Sequence, residues 1–112
     1  MNKLIVYRKT ETLLNKIYPA LINFPKAEKF CLCQTIKQNF FDLLKYILLG
    51  NSVKSKRLTY LQQADGHLQT LKVLIRLSHN LRYISNGFYK EVSLELTEIN
   101  KLLSGYIRSV NK

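Results

Sequence analysis

Apolar residues recur three and four positions apart along four segments of the chain, and this spacing is typical of amphipathic α-helices. The pattern predicts helices over about residues 3–22, 25–49, 55–84 and 88–110. Gly, Pro, Asn and Ser mark the three short breaks between them. Because short connections make successive helices run antiparallel, we expect an all-α, up-down-up-down four-helix bundle that forms a single domain over residues 1–112.

The same pattern predicts the core. In the second helix the apolar face comprises Phe30, Cys33, Phe40, Leu44, Ile47 and Leu48, and in the fourth Phe88, Val92, Leu96, Ile99, Leu103, Tyr106 and Val110. The third helix carries one apolar face of Leu58, Leu61, Ala64, Leu68, Leu71 and Ile75, and another of Leu74, Leu77, Leu81 and Ile84. A bundle core requires only one such face per helix. We interpret the second face as a contact between subunits, with deep burial of this helix as the alternative.

Charge is the most unusual feature of the composition. The chain has 18 Lys and Arg against 7 Asp and Glu, which gives a formal net charge of +11. Such a chain attracts polyanions, which could be nucleic acid, an anionic membrane surface or an acidic protein. The alternative is a solubilising surface that binds no ligand. Since no helix pairs a strongly basic face with an exposed bulky apolar face, a membrane surface is the weakest of these readings.

The sequence contains no stretch that resembles a secretory signal or a membrane-spanning helix. Residues 1–6 contain a Lys and are followed at once by Tyr7, Arg8 and Lys9, which does not resemble a secretory signal. No apolar run approaches the roughly 20 residues that span a bilayer. Cys31 and Cys33 lie too close in sequence for an intrachain disulfide and lack the spacing of a metal or redox motif. We interpret both as packing residues in a protein of the reducing cytoplasm.

Reactive groups that could form an active site are scarce. Glu91, Glu95 and Glu98 cluster on the fourth helix, where we expect them to pair with Lys90 and Lys101 at helical spacings. His67 and His79 have no second ligand type at metal spacing, and no phosphate-binding loop or nucleophile motif is present. The sequence therefore predicts a protein that is not an enzyme, without a cofactor, a metal or a small-molecule substrate.

A polar stripe on the third helix is the best candidate for a binding surface. Its members follow one another at intervals of four and three residues: Asp65, Gln69, Lys72, Arg76, His79 and Tyr83. Lys and Arg can contact phosphates, while His and Tyr can stack on unpaired bases. Lys56, Arg57 and Arg82 lie in the same acid-poor part of the chain. We predict a nucleic-acid contact; the alternative is an ordinary solvated face in which Asp65 pairs with Lys72.

Several runs of residues resemble a known family. Residues 17–30 read Ile-Tyr-Pro-Ala-Leu-Ile-Asn-Phe-Pro-Lys-Ala-Glu-Lys-Phe, residues 61–65 read Leu-Gln-Gln-Ala-Asp, and residues 71–77 read Leu-Lys-Val-Leu-Ile-Arg-Leu. These runs, with residues 102–109, resemble the accessory variability determinant (Avd) proteins of diversity-generating retroelements. A broader related family is the four-helix protein encoded in intervening sequences of 23S ribosomal RNA genes.

The resemblance implies a function that composition alone does not. Avd proteins are non-catalytic, basic four-helix bundles that assemble as barrel-like homopentamers. They associate with the reverse transcriptase and template RNA of their retroelement and support mutagenic retrohoming. The resemblance therefore implies three partners for this chain: that reverse transcriptase, the template RNA and further copies of itself. A general RNA-binding or structural bundle of the intervening-sequence type remains the alternative.

Candidate contact residues follow from the matching runs. Arg76 and Lys72 lie in the run 71–77, so the resemblance implies that they contact the polymerase or the RNA. Lys26 and Lys29 lie in the Pro-Lys run of the first connection. Lys56 and Arg57 precede the third helix in the sequence Ser-Lys-Arg. Together with His79, Arg82 and Tyr83, these residues form the predicted binding set, whereas Leu74, Leu77, Leu81 and Ile84 form the predicted oligomer interface.

Overall fold

The computed structural model describes residues 4–111, and for Leu4 the backbone alone. Its four helices are α1 (Leu4–Ala20), α2 (Leu32–Ser52), α3 (Arg57–Asn80) and α4 (Asn86–Val110). Short 3-10 turns occupy Leu21–Asn23, Lys26–Glu28 and Lys54–Lys56. Each helix packs against its two neighbours in a closed ring, since α4 also contacts α1. The predicted all-α four-helix architecture is confirmed; Lys3, the expected first residue of the first helix, lies outside the described residues.

One apolar face of each helix meets in a common core. Among the fully buried side chains are Leu13 and Ile17 of α1, Ile36, Phe40, Leu43 and Ile47 of α2, Leu61, Leu68 and Leu71 of α3, and Ile99, Leu103 and Tyr106 of α4. Burying side chains of this size removes large apolar areas from water, which is the main stabilising contribution to such a fold. The predicted core faces of α3 and α4 are confirmed at these positions.

The predicted start of the second helix was wrong, and its predicted core face is confirmed at Cys33, Phe40 and Ile47 but not at Phe30, Leu44 and Leu48. The helix begins at Leu32, not near Pro25, because Pro25 instead precedes the 3-10 turn Lys26–Glu28. Phe30 therefore lies before the helix and is 82% exposed. Leu48 is on the helix but outward-facing, while Leu32, Ile36 and Leu43 take the buried positions. Cys33 is buried as predicted, whereas Cys31 is exposed and is not a packing residue.

Helices α2 and α3 approach each other closely at Gly50. A Cβ atom at this position would lie 2.7 Å from Cδ2 and 2.9 Å from Cγ of Leu61, which is itself fully buried. Real Cβ atoms do not come so close to other heavy atoms, so a larger residue at position 50 would force the buried Leu61 side chain to shift.

The third helix ends at Asn80, earlier than the predicted Ile84. Arg82 adopts a left-handed backbone conformation with φ 64°. Its N–H donates to the carbonyl of His79, and the N–H of Tyr83 donates to the carbonyl of Ser78. This is the hydrogen-bond pattern of a Schellman motif, which usually has glycine at the left-handed position. Leu81 and Ile84 consequently lie in the connection to α4 and not on the third helix.

The start of α4 is set by a side-chain cap. Ser85 precedes the helix in an extended conformation, and its Oγ accepts a hydrogen bond from the backbone N–H of Phe88 at 3.1 Å. Such a cap satisfies one of the N–H groups that have no partner in the first turn.

Across the described residues, none of the helices is at once long and apolar enough to span a membrane.

Candidate nucleic-acid interface

A groove of about 190 Å³ runs between α3 and α4 and brings part of the predicted stripe together. Its lining consists of Lys72, Ile75 and Arg76 from α3 and Tyr89, Ser93, Leu96 and Thr97 from α4. The two cations lie one helical turn apart on α3, so both project to the same side. The opposite wall carries hydroxyl groups. The Thr97 hydroxyl donates its hydrogen to the backbone carbonyl of Ser93 at 2.9 Å, so the two cations are the main groups here that can bind phosphate oxygens.

Lys72 is held in position by a neutral partner. Its ammonium donates a hydrogen bond to Asn100 Oδ1 at 2.9 Å, and Gln69 Nε2 donates to the same oxygen at 2.9 Å. Gln69 also donates to Asp65 at 3.0 Å. The pair of Asp65 with Lys72, on which the alternative of an ordinary solvated face rested, is not formed among the described residues. An amide oxygen orients the ammonium without cancelling its charge.

Arg76 is exposed at the rim of the same groove. Within residues 4–111, no carboxylate lies in ion-pairing distance of either Arg76 or Lys72. Neither charge is therefore offset by a carboxylate, although Lys72 is half-buried. A guanidinium with free N–H groups can bind a phosphate through two hydrogen bonds at once.

Two aromatic residues predicted to stack on bases are engaged within the bundle. The ring of His79 is stacked on Tyr89, with centroids 4.2 Å apart and planes 6° from parallel, and its Nε2 is hydrogen-bonded to Asn86 Oδ1. Tyr83 donates from its hydroxyl to Glu28 at 3.0 Å, which raises the pKa of this phenol. Tyr89 therefore lines the groove with His79 stacked behind it, whereas the hydrogen bond of Tyr83 joins the third connection to the first.

Arg57 has a structural role that the sequence did not indicate. Its Nε donates to the carbonyl of Gly50 at 2.7 Å, and its Nη2 donates to the carbonyl of Asn51 at 2.8 Å. These carbonyls belong to the last turn of α2, where backbone acceptors lack intrahelical partners. The positive charge also lies at the negative end of the helix dipole. Arg57 therefore caps α2, while its neighbour Lys56 is exposed.

The remaining predicted cations lie away from the groove. Lys26 and Lys29 are exposed beside a separate cavity at the first connection, which Lys37 also lines. Arg82 is exposed and lines an open depression with His79 and Asn86. The structure thus places Lys72 and Arg76 together and distributes the other predicted residues around the bundle.

The acidic cluster of α4 faces α1, which corrects the predicted pairing with Lys90 and Lys101. Lys16 donates to Glu91 at 2.6 Å and to Glu95 at 3.0 Å, and Lys9 pairs with Glu98 at 2.7 Å. The hydrogen bonds to Glu91 and Glu95 raise the pKa of the Lys16 ammonium above its usual value. Lys9 and Lys16 of α1 are therefore paired with carboxylates, unlike the cations of the α3–α4 groove.

The predicted oligomer interface is only partly exposed. Leu77 and Leu81 are exposed to 41% and 45%. Leu74 and Ile84 are half-buried and pack against the core of the same chain, so the bundle itself accounts for part of this apolar face. Contact between subunits through the remaining residues stays a prediction.

Histidine and cysteine side chains take structural positions. His67 Nδ1 is hydrogen-bonded to Asn39 at 2.9 Å, and its ring stacks on Tyr46. Burial raises the pKa of the Cys33 thiol, so this group stays protonated at neutral pH. Among residues 4–111, no three side chains of His, Cys, Asp or Glu are grouped so that they could hold a metal ion.

Comparison with known proteins places this bundle in a family. A family profile described as bAvd-like matches residues 4–110, almost the whole chain. The chain belongs to the bAvd-like family. Its fold is similar to the crystal structure of a protein of unknown function from the S23 ribosomal protein family of Bacteroides thetaiotaomicron, with a TM-score of 0.82 and 19% sequence identity. That alignment covers 96% of this bAvd-like chain and 99% of the other.

No curated protein matches the chain. The structural similarity, at this level of identity, establishes the shared fold. Membership of the bAvd-like family adds information on the type of protein, because that family generally consists of non-catalytic accessory proteins. The resemblance noted in the sequence is thereby confirmed.

Proposed function

We propose that this bAvd-like chain is the accessory protein of a diversity-generating retroelement, and that it binds the template RNA and the reverse transcriptase during mutagenic cDNA synthesis. The observation that carries the proposal is the α3–α4 groove, in which Lys72 and Arg76 have no carboxylate partner among the described residues. Family membership over residues 4–110 supports the choice of partners.

The proposed mechanism is positional. Phosphates of the RNA backbone bind the ammonium of Lys72 and the guanidinium of Arg76, and the hydroxyl groups of Ser93 and Thr97 lie on the opposite wall. Such contacts carry little sequence information and depend strongly on salt, because each neutralised phosphate releases a counterion. Reaction chemistry is left to the polymerase.

Assembly would strengthen this binding. Each chain carries a formal charge of +11, so a ring of copies presents several grooves to one RNA. Contacts that are weak singly become strong when they are linked, since the second contact forms at high effective concentration. We propose a homopentamer, as in the proteins that the sequence resembles, with the exposed Leu77 and Leu81 at the contact between subunits.

Copurification with a reverse transcriptase tests the proposal. The chain is coexpressed with the reverse transcriptase encoded beside it and with the template RNA, and both partners are quantified after affinity purification. We expect the wild-type chain to retain both, and the double variant Lys72→Glu with Arg76→Glu to lose most of the RNA while its helicity is unchanged.

A matched control separates the groove from total charge. Arg8→Glu with Lys54→Glu makes the same change in charge at two exposed positions outside the groove. This control should retain the RNA. Equal loss in both double variants, or RNA retention in neither the wild type nor the control, contradicts the proposal.

A second candidate function is a general RNA-binding bundle of the ribosomal intervening-sequence type. The similarity of fold to a member of the S23 ribosomal protein family favours it. The same copurification distinguishes the two functions: retention of RNA without the reverse transcriptase supports this second function and contradicts the first.

A further inference from the structure

A second cavity lies where the first connection folds back against α2, and it is separate from the α3–α4 groove. Its volume is about 320 Å³, which is within the range of about 300–1,000 Å³ that is usual for ligand sites. The lining comprises Tyr18, Leu21, Ile22, Phe24, Pro25, Lys26, Lys29, Cys33 and Lys37. Apolar residues and lysines are therefore combined in one small site.

The interior of this cavity is apolar. Leu21, Phe24 and Cys33 belong to the buried core and form the innermost part of the cavity lining. Beside them, Ile22 is 82% exposed and Tyr18 is 44% exposed. Exposed apolar side chains grouped next to a cavity are typical of protein-binding sites, where a partner's apolar residue enters the pocket.

Three lysines surround that apolar interior. Lys26 and Lys29 are exposed, and the ammonium of Lys37 lies 4.5 Å from the centroid of the Tyr18 ring. Among the described residues that line the cavity there is no carboxylate. The site is therefore complementary to a ligand that carries negative charge around an apolar group.

Contacts on several sides hold the first connection in place. The thiol of Cys33 donates a hydrogen bond to the carbonyl of Leu21 at 3.6 Å, and the ring of Phe24 packs against Tyr83 with centroids 5.2 Å apart. Tyr83 in turn donates to Glu28. A site that is already ordered loses less conformational entropy when a ligand binds.

We propose that this cavity binds a short acidic peptide segment of a partner protein, with an aliphatic or aromatic side chain on Leu21, Phe24 and Cys33 and carboxylates at Lys26, Lys29 and Lys37. Bases bind mainly by stacking on flat aromatic or guanidinium groups. The aliphatic surface of Ile22 therefore favours a peptide over RNA, and the Lys37 ammonium already lies over the Tyr18 ring. This site does not depend on the RNA-binding role of the α3–α4 groove.

Fluorescence anisotropy with synthetic peptides tests the proposal. One labelled peptide is acidic with a central Leu-Phe pair, and a second has Ser-Ser in place of that pair. We expect the first to bind, and the second to bind at least tenfold more weakly. Amide chemical shifts of the labelled protein should change at residues 18–37 when the first peptide is added. Absence of binding, equal binding of both peptides, or shift changes confined to another surface overturns the proposal.

Two variants locate the site and test its charge. Lys26→Glu with Lys37→Glu should weaken binding of the Leu-Phe peptide at least tenfold, and Ile22→Asp should weaken it by a similar factor without unfolding, because Ile22 is almost fully exposed. Lys54→Glu with Lys101→Glu, which makes the same charge change at exposed positions elsewhere, should leave binding unchanged. Equal losses in the test and control pairs contradict the proposal.

Competition with RNA separates a peptide site from a nucleic-acid site. The experiment uses the variant Lys72→Glu with Arg76→Glu, so that the α3–α4 groove does not contribute. Unlabelled single-stranded RNA should leave the bound Leu-Phe peptide in place. Displacement of the peptide by this RNA assigns the cavity to nucleic acid and overturns the proposal.

Discussion

Helix α4 packs between α1 and α3, and the cations of these two helices differ in whether they have carboxylate partners. Towards α1 it presents Glu91, Glu95 and Glu98, which form ion pairs with Lys16 and Lys9. Towards α3 it presents an amide and hydroxyl groups. There Lys72 donates to the oxygen of Asn100, and Arg76 lies in the same groove. On the α1 side the cations are paired with carboxylates, whereas on the α3 side Lys72 and Arg76 have no carboxylate partner among the described residues.

The comparison shows why net charge does not by itself locate a binding surface. Eighteen cations and seven acids leave a large excess of positive charge wherever the acids are placed. Three of the seven acids lie on the α1 side of α4, and on the α3 side Lys72 and Arg76 have no carboxylate partner among the described residues. A polyanion is attracted most strongly where cations lack carboxylate partners.

Removing the cations on each side of α4 in turn should give the largest difference in RNA affinity. Lys72→Gln with Arg76→Gln is expected to weaken binding of single-stranded RNA by about tenfold or more, because a hydrogen bond to a charged group contributes about 1.5–3 kcal/mol. Lys9→Gln with Lys16→Gln makes the same charge change but should alter affinity by less than about threefold, because these cations are already paired. Anisotropy at fixed salt measures both, and equal losses would show that only total charge matters.

Giving Lys72 a carboxylate partner, as the lysines on the α1 side have, should produce the next largest effect on RNA affinity. In Asn100→Asp a carboxylate replaces the amide oxygen that now lies 2.9 Å from the Lys72 ammonium. We expect RNA affinity to fall by about threefold to tenfold, and the free energy of unfolding to rise by about 0.2–1 kcal/mol through the new ion pair. Asn100→Ala, which leaves Lys72 charged, should retain affinity; a matching loss in that control would attribute the effect to Asn100 itself.

Both sides of α4 depend on the packed core, and two glycines test this dependence. Gly50→Ala should lower the free energy of unfolding by about 1–3 kcal/mol, because its Cβ would overlap the buried Leu61. Gly66→Ala meets nothing within 4 Å and should raise it by about 0.5–1 kcal/mol through better helix propensity. Urea denaturation measures both values. Similar effects of the two substitutions would contradict the close approach of α2 and α3.

The smallest effect is the pH dependence of the stability that the Lys16 ion pairs with α4 contribute. The pKa of Lys16 is raised above its ordinary 10.5, so the folded state holds this proton more tightly than the unfolded state. The stabilisation is therefore complete below that pH and is lost as pH rises from there through the folded pKa. The stability difference between wild type and Lys16→Met, measured by urea denaturation, should be constant near neutral pH and shrink above about pH 10.5. A difference that does not change with pH contradicts the assigned ion pairs.

Helical periodicity predicted much of the fold because it reports which side of a helix is buried. The faces around Leu68 in α3 and Leu96 in α4 follow directly from apolar residues three and four apart. Helix ends were predicted less well. Pro25 suits both the first turn of a helix and the 3-10 turn that actually follows it, and the left-handed residue that ends α3 is Arg82 where glycine would have been the signal.

For the candidate site, periodicity found the residues on one helix but not their partners on another. Lys72 and Arg76 share a face of α3, and spacing alone identified them. Asn100 and Tyr89 lie across the groove on α4, and the pairing of Lys16 with Glu91 likewise joins two helices. Contacts between helices depend on their relative rotation and register, which the spacing within one helix does not specify. The capping role of Arg57 was not predicted for a similar reason, because its acceptors are backbone carbonyls of α2.

The salt dependence of RNA binding tests the central claim most directly, since it reports the number of phosphates that the protein neutralises. Affinity for single-stranded RNA is measured over a series of salt concentrations for the wild type and for Lys72→Gln with Arg76→Gln. If both cations contact phosphates, the slope of log affinity against log salt should be shallower in the variant by about 1.4, at about 0.7 per phosphate. An identical slope in the two proteins would contradict the assignment of the α3–α4 groove as the RNA-binding surface.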